Sequence, residues 1–95
     1  MTDTVNEDEF LRQLTKDFLR DMLNQLNSLD SKIKGREANN ITVFGHTLKG
    51  SGAMFGFPEI SKLGIQLEEE ARAEYWEGVR DTTNKLIKVI ENLLR

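Results

Sequence analysis

The 95 residues carry a formal net charge of −3 and include one histidine and no cysteine. A chain of this length forms one domain with a modest core, too small to enclose a large substrate. The acidic balance disfavours a nucleic-acid-binding protein, and without cysteine the chain has no disulfide or thiolate ligand. No apolar run approaches the ~20 residues that span a bilayer, and the acidic N-terminus is unlike a secretory signal. We therefore expect a cytoplasmic protein that is not inserted in a membrane.

A long amphipathic helix is the first predicted element, over residues 7–34. Its apolar residues recur at spacings of three and four, which is the helical period. They are Leu11, Leu14, Phe18, Met22, Leu26, Leu29 and Ile33. Asn6 and Glu9 have the spacing of a capping box at the start, and Gly35 is a typical stop at the end.

Three shorter helices are predicted over residues 40–55, 58–74 and 79–94. Asn40 is a suitable N-cap for the second helix, and Pro58 suits the first position of the third. Their inward faces are formed by Ile41, Phe44, Leu48, Ser51 and Phe55, by Ile60, Leu63, Gly64, Leu67 and Ala71, and by Val79, Thr83, Leu86, Ile90 and Leu93.

Four amphipathic segments with short connections predict an all-α fold, an antiparallel up-down four-helix bundle. We expect one domain over residues 1–95, with residues 1–5 frayed.

The only histidine lies in the stretch FGHTLKGSGAMFGF, residues 44–57, which also holds four of the seven glycines. On a helical wheel of about 100° per residue, His46 lies roughly 160° from the inward Leu48 and faces solvent. Gly50 and Ala53 lie beside it and leave the ring accessible. A lone histidine is more often incidental, but an incidental surface histidine is usually surrounded by charged residues. This environment favours a functional one.

Glu68 is a candidate partner for the imidazole. His46 lies eleven positions before Phe57 and Glu68 eleven after it, so a turn at Phe57 brings them to similar heights on neighbouring helices. A hydrogen bond from one ring nitrogen to Glu68 fixes the tautomer and leaves the other nitrogen nucleophilic. Taken alone, Glu68 is better explained as one more solvated acid among Glu68, Glu69 and Glu70. Lys49, three residues after His46, shares its face and suits an incoming anion such as a phosphoryl group.

Apolar residues on the outward faces predict a docking surface near His46. Val43 and Met54 flank the histidine on its own helix, Ile65 points outward from the third helix, and Phe10 is a candidate at the start of the first. Exposed apolar residues of this kind mark a partner surface more often than a substrate pocket.

Several common motifs are absent. Gly45 and Gly50 have the spacing of a phosphate-binding P-loop, but Ser51 stands where a lysine is required and no strand precedes. The dinucleotide-binding pattern fails because Gly56 lies one residue too far from Gly52. A zinc site needs further histidines or cysteines, so no metal site is predicted.

The pattern His46-Thr47-Leu48-Lys49-Gly50-Ser51-Gly52, followed by the turn Phe55-Gly56-Phe57 and by Leu67-Glu68, resembles the histidine-containing phosphotransfer (Hpt) domain family. The resemblance covers essentially the whole chain. It implies a four-helix bundle that carries a phosphoryl group on histidine between aspartates of receiver domains. By the same resemblance, His46 is the phosphorylated residue, Lys49 and Gly50 favour and admit the phosphate, and Glu68 bonds the ring.

Such a protein is a phosphocarrier rather than an enzyme, because it has no base, metal or nucleotide site of its own. The resemblance implies receiver domains in a sensor histidine kinase pathway as partners, with Mg²⁺ supplied by the receiver. We expect a monomer, although the exposed apolar residues suit a second copy equally well.

Three alternatives remain at this stage. The phenylalanine-rich turn also resembles the phosphoacceptor domain of chemotaxis-type histidine kinases. The second alternative is an interaction module whose histidine is incidental. A small enzyme that uses His46 and Glu68 as acid and base is the third alternative, which the lack of room for a substrate disfavours.

Overall fold

A computed structural model of the chain describes the backbone of residues 2–95 and the side chains of residues 7–95. Within that range the chain forms helices and no strand. The five helices are α1 (Thr2–Asn27), α2 (Leu29–Lys34), α3 (Ala38–Met54), α4 (Pro58–Arg72) and α5 (Trp76–Leu93). Because α2 continues the course of α1, the five helices make four rods, and the predicted all-α four-helix bundle is confirmed.

The helix is interrupted between α1 and α2 at Ser28, inside the segment that the sequence predicts as one helix. The backbone nitrogen of Ser28 still donates to the carbonyl oxygen of Asn24, at 3.2 Å. Its hydroxyl also donates to the carbonyls of Asn24 and Gln25, at 3.2 and 3.1 Å. A serine hydroxyl that bonds back to the preceding turn bends a helix, which explains the division into two helices.

Two predicted N-caps are wrong. Helix α1 begins at Thr2, so Asn6 lies inside the helix and the capping box with Glu9 does not mark its start. Helix α3 begins at Ala38 after Glu37, and the side chain of Asn40 donates to the Glu37 carboxylate at 2.7 Å from within the first turn. The predicted fraying concerns residues 1–5, of which Met1 lies outside the described residues and the others are described in their backbone only.

The three turns between the rods share one hydrogen-bond pattern. After α2, α3 and α4 the chain takes a positive φ at a single residue, which is Arg36, Gly56 and Glu74 respectively. The nitrogen of the next residue then bonds back to the carbonyl five positions earlier, as from Phe57 to Gly52 at 2.7 Å. This is the Schellman arrangement that satisfies the last carbonyls of a helix. Only one of the three turns has glycine at the position with positive φ.

The core is a single apolar cluster along the inner faces of all five helices. Its members are Phe18, Leu19, Met22, Leu26, Leu29, Ile33, Ile41, Phe44, Leu48, Ile60, Leu67, Ala71, Val79, Leu86 and Ile90. Most of the predicted inward residues are among them. The prediction is wrong for Leu11, Leu14 and Leu93, which are exposed.

The aromatic residues at the α3–α4 turn explain why Leu11 and Leu14 are exposed. Phe18 of α1 stacks on Phe55 with ring centroids 4.4 Å apart and lies 6.5 Å from the ring of Phe57. This stack sets the end of the bundle at the level of Phe18. Residues before Phe18 run past the α3–α4 turn, in keeping with the 52 Å length of the molecule against a width of 19 Å.

Asp30 of α2 makes two ionic contacts at the opposite end, one within α2 and one to α5. Asp30 lies 3.0 Å from the ammonium of Lys34 and 3.5 Å from the guanidinium of Arg80. The hydrogen bond from Lys34 is the main reason why the pKa of Asp30 is below its ordinary value. All three side chains are exposed, so this network contributes little to stability.

Candidate functional site

Helices α3 and α4 approach each other backbone to backbone through three glycines. A β-carbon on Gly45 would lie 2.6 Å from the backbone nitrogen of Glu68, and one on Gly64 would lie 2.6 Å from that of Lys49. At Gly52 the same atom would lie 2.7 Å from the nitrogen of Ser61. Real β-carbons do not come this close, so only glycine permits this helix spacing.

His46 and Glu68 face each other across this contact. The Nδ1 of His46 lies 3.2 Å from Oε2 of Glu68, within hydrogen-bond distance, as the equal spacing from Phe57 predicts. The imidazole side chain is 68% exposed and the carboxylate only 13%. The ring therefore stands at the surface while its hydrogen-bond partner is held close to the bundle.

Arg72 contacts the same carboxylate oxygen as the histidine. Its Nη2 lies 3.1 Å from Oε2 of Glu68, one helical turn further along α4. A carboxylate that precedes a cation by four residues is the favourable order on a helix. Two donors on one oxygen hold the Glu68 side chain in the orientation that meets His46.

This geometry suits a nucleophilic imidazole. When Nδ1 carries the hydrogen and donates it to Glu68, Nε2 keeps its lone pair and is the nitrogen left for attack. Positive charge that develops on the ring during attack is stabilised by the carboxylate behind it. The arrangement can accept an electrophile from solvent, but nothing encloses a substrate around it.

The immediate surroundings of the ring on α3 are open. A β-carbon built on Gly50, one turn after His46, would meet no atom within 4 Å. Ala53, one turn further, is exposed. Lys49 is also exposed, and within the described part of the chain it forms no ion pair. The backbone of its turn is fixed from α4, because the hydroxyl of Ser61 donates to the carbonyl of Lys49 at 2.7 Å.

Apolar side chains lie on both sides of the exposed surface formed by His46, Gly50 and Ala53. Val43 and Met54 are exposed on α3, and Ile65 is exposed on α4. A shallow groove of about 460 Å³ runs between the two helices below the histidine. It is lined by Ala53, Gly56, Pro58, Ser61, Lys62 and Ile65. The surface near His46 thus carries exposed apolar residues on both helices, with Lys49 and Lys62 among them.

Phe10, the fourth predicted docking residue, lies elsewhere. It is eight residues before Phe18, so by helical rise it is about 12 Å beyond the level of the α3–α4 turn. His46 is nine residues from Phe55 on the other side of that level, or about 14 Å. The two are therefore separated by roughly 25 Å along the bundle, and Phe10 belongs to a different surface.

Sequence reasoning did not assign a role to Arg72. The signal was present, because a basic residue four positions after an acid on a predicted helix pairs with it. The role of Ser61 in fixing the Lys49 turn has no such signal, since it depends on the spacing of α3 and α4.

The described residues contain neither a cluster of metal ligands nor a membrane-spanning helix. No group of three or more histidine, aspartate or glutamate side chains is placed to hold a metal ion in that part of the chain. Among the same residues, every helix is too short or too polar to cross a bilayer.

The chain matches the profile of a known protein family. The Hpt domain profile matches residues 13–95, which is most of the chain. Comparisons with curated proteins and with solved structures gave no match.

Proposed function

Because the chain belongs to the Hpt domain family, whose members serve phosphotransfer in two-component signalling, we propose that it is a phosphocarrier between receiver domains. The phosphoryl group would be carried on Nε2 of His46. The observation that carries the proposal is the 3.2 Å contact of Nδ1 with Glu68, which leaves the exposed nitrogen as the nucleophile.

In the proposed reaction, the lone pair of Nε2 attacks the phosphorus of a phosphoaspartate on the docked receiver. The N–P bond forms as the P–O bond to the aspartate breaks, and the aspartate leaves as a carboxylate with the bonding electrons. Nδ1 keeps its hydrogen, directed at Glu68, which offsets the positive charge gained by the ring. Transfer to a second receiver is the reverse of these steps.

Lys49 would assist by attracting the phosphoryl oxygens, because phosphoryl transfer depends mainly on positioning and charge neutralisation. Gly50 and Ala53 would leave room for the incoming phosphoaspartate. The Mg²⁺ ion that such transfers use would come with the receiver domain. In keeping with the phosphocarrier role of the family, the chain would act as a carrier in the cytoplasm and not as an enzyme.

The apolar surface around His46 would be the receiver's docking site. Val43 and Met54 would contact it on the α3 side and Ile65 on the α4 side. Transient signalling complexes often bury less than about 1,200 Å² in total, so a small docking surface is expected. We propose that Phe10 takes no part in this contact, given its distance from the ring.

A pulse-chase experiment tests the carrier function. The protein is loaded from one phosphorylated receiver, separated from it, and then mixed with a second, unphosphorylated receiver from a panel of such domains. We expect the label to enter this chain and leave it for at least one second receiver. Label that enters only from ATP through a separate kinase catalytic domain would favour the chemotaxis-type alternative instead.

A further inference from the structure

The first half of α1 carries an apolar stripe that the rest of the described chain does not cover. Phe10 is 65% exposed, Leu11 57% and Leu14 42%. These residues lie beyond the Phe18 stack that ends the bundle, so α3 and α4 do not reach them. An apolar stripe at helical spacing on a free helix face is the usual form of a helix-binding surface.

Among the charged residues of α1, those on the side of this stripe are all acidic. On a wheel of 100° per residue, the charged positions within about 60° of Leu14 are Glu7, Asp17 and Asp21. The basic residues of the same stretch lie at least about 120° from Leu14, and they are Arg12, Lys16 and Arg20. The face that presents the apolar stripe is therefore negatively charged.

Among the described residues, the side chains that bond to Asp17 and Asp21 are neutral amides. Asp17 accepts a hydrogen bond from the neutral Gln13 at 2.9 Å, and Asp21 accepts one from Gln25 at 3.1 Å. In the part of the chain that the structure describes, neither they nor Glu7 form an ion pair. A partner that covers the stripe meets an apolar centre with a negative rim.

We propose that this face of α1, Phe10, Leu11 and Leu14 with the acidic rim, binds an amphipathic helix of another protein whose apolar stripe is bordered by lysine or arginine. The charge pattern selects the occupant. A second copy of this chain, placed by a two-fold axis, would bring the acidic rims together, and an anionic membrane surface would also repel them. The surface is independent of His46 and of the phosphocarrier proposal.

Two synthetic helical peptides test the proposal. Both carry the same leucine stripe, and its borders are lysine in one and glutamate in the other. Titration into the ¹⁵N-labelled protein should shift amide signals of residues 7–21 with the lysine peptide, which should bind at least about tenfold more tightly than the glutamate peptide. The double variant Phe10→Ser/Leu14→Ser should lose this binding.

Matched variants separate this surface from the site on α3. Val43→Ser/Met54→Ser also removes two exposed apolar residues and should leave lysine-peptide binding unchanged. The charge variant Asp17→Asn/Asp21→Asn keeps the apolar stripe and should weaken lysine-peptide binding. Phosphoryl exchange with receivers should be the same for Phe10→Ser/Leu14→Ser as for the parent chain.

Four results would overturn the proposal. Equal affinity for the two peptides would remove the role of the acidic rim. Peptide-induced shifts centred on His46 would place the peptide site on α3 and not on α1. Slower receiver exchange in Phe10→Ser/Leu14→Ser would assign the stripe to receiver docking. A dimer in sedimentation that this double variant abolishes would assign the stripe to a second copy.

Discussion

Gly45 and Glu68 are packed so closely that a β-carbon on the glycine would lie 2.6 Å from the backbone nitrogen of the glutamate. This contact sets the spacing of α3 and α4 at the level of His46. The side chain of Glu68 reaches the imidazole because its backbone lies directly against the helix that carries the histidine. The glycines around the histidine therefore have two separate roles, close packing at Gly45 and open space at Gly50.

Alanine at these two glycines should have opposite effects on stability. Gly45→Ala forces α3 and α4 apart and should lower the free energy of unfolding by about 1–3 kcal/mol, the usual range for overpacking. Gly50→Ala adds a methyl group in open space within a helix and should raise it by up to about 1 kcal/mol. Denaturant unfolding of both variants measures the difference. Equal destabilisation would contradict the two roles.

Removal of the Glu68 carboxylate should change the tautomer of His46. In Glu68→Ala the hydrogen on Nδ1 loses its acceptor, and the population with the hydrogen on Nε2 should rise. We expect transfer to slow by about fivefold, equivalent to about 1 kcal/mol for a partly exposed bond. The ¹⁵N shifts of the ring report the tautomer. In Glu68→Gln, which keeps one acceptor oxygen, the population with the hydrogen on Nε2 should lie between those of the parent chain and Glu68→Ala. An unchanged tautomer in Glu68→Ala would show that the contact does not orient the ring.

Lys49 should affect transfer without affecting the fold. Its side chain is exposed and forms no ion pair among the described residues, so Lys49→Ala should leave the unfolding midpoint unchanged. Phosphoryl transfer should slow by about tenfold, because one cation near the transferring group is lost. Lys88→Ala on the exposed surface of α5 is the matched control and should transfer normally. Equal slowing in the two variants would point to net charge and not to the position of Lys49.

Glycine at Glu74 should stabilise the bundle. Glu74 has a φ of 55° in the α4–α5 turn, a conformation that costs a residue with a β-carbon about 1–2 kcal/mol. Glu74→Gly should raise the free energy of unfolding by about 1 kcal/mol, whereas Glu74→Ala should leave it nearly unchanged. Arg36 has a φ of 56°, but its guanidinium lies 5.3 Å from the ring centre of Trp76, so Arg36→Gly should gain less. A larger gain for Arg36→Gly would refute this explanation.

The sequence predicts the four rods, most of the core and the position of His46, because the helical period is a local property. The outward direction of His46 and its level beside Glu68 follow from the same period and from one turn. Which element packs against an apolar face is not a local property, because it depends on the tertiary structure. Leu11 and Leu14 continue the stripe of Phe18, but the helices that could cover them end at the Phe18 stack.

Turn geometry and hydrogen bonding between helices are equally difficult to read from the sequence. Gly35 is a typical residue for a positive φ, yet the structure assigns that conformation to Arg36 and leaves Gly35 helical. The phenylalanines of the α3–α4 turn suggested a chemotaxis-type domain. Their stacking on Phe18 gives them a packing role that does not distinguish between the two functions.

The position of the phosphate after transfer is the most direct test of His46 as the carrier. The protein is loaded from a phosphorylated receiver, digested at alkaline pH and mapped by mass spectrometry, with His46→Gln as the control. We predict one phosphate per chain, on His46, that is stable in alkali and lost in acid, and no label on the control. Phosphate on any other residue, or equal labelling of His46→Gln, would contradict the proposal.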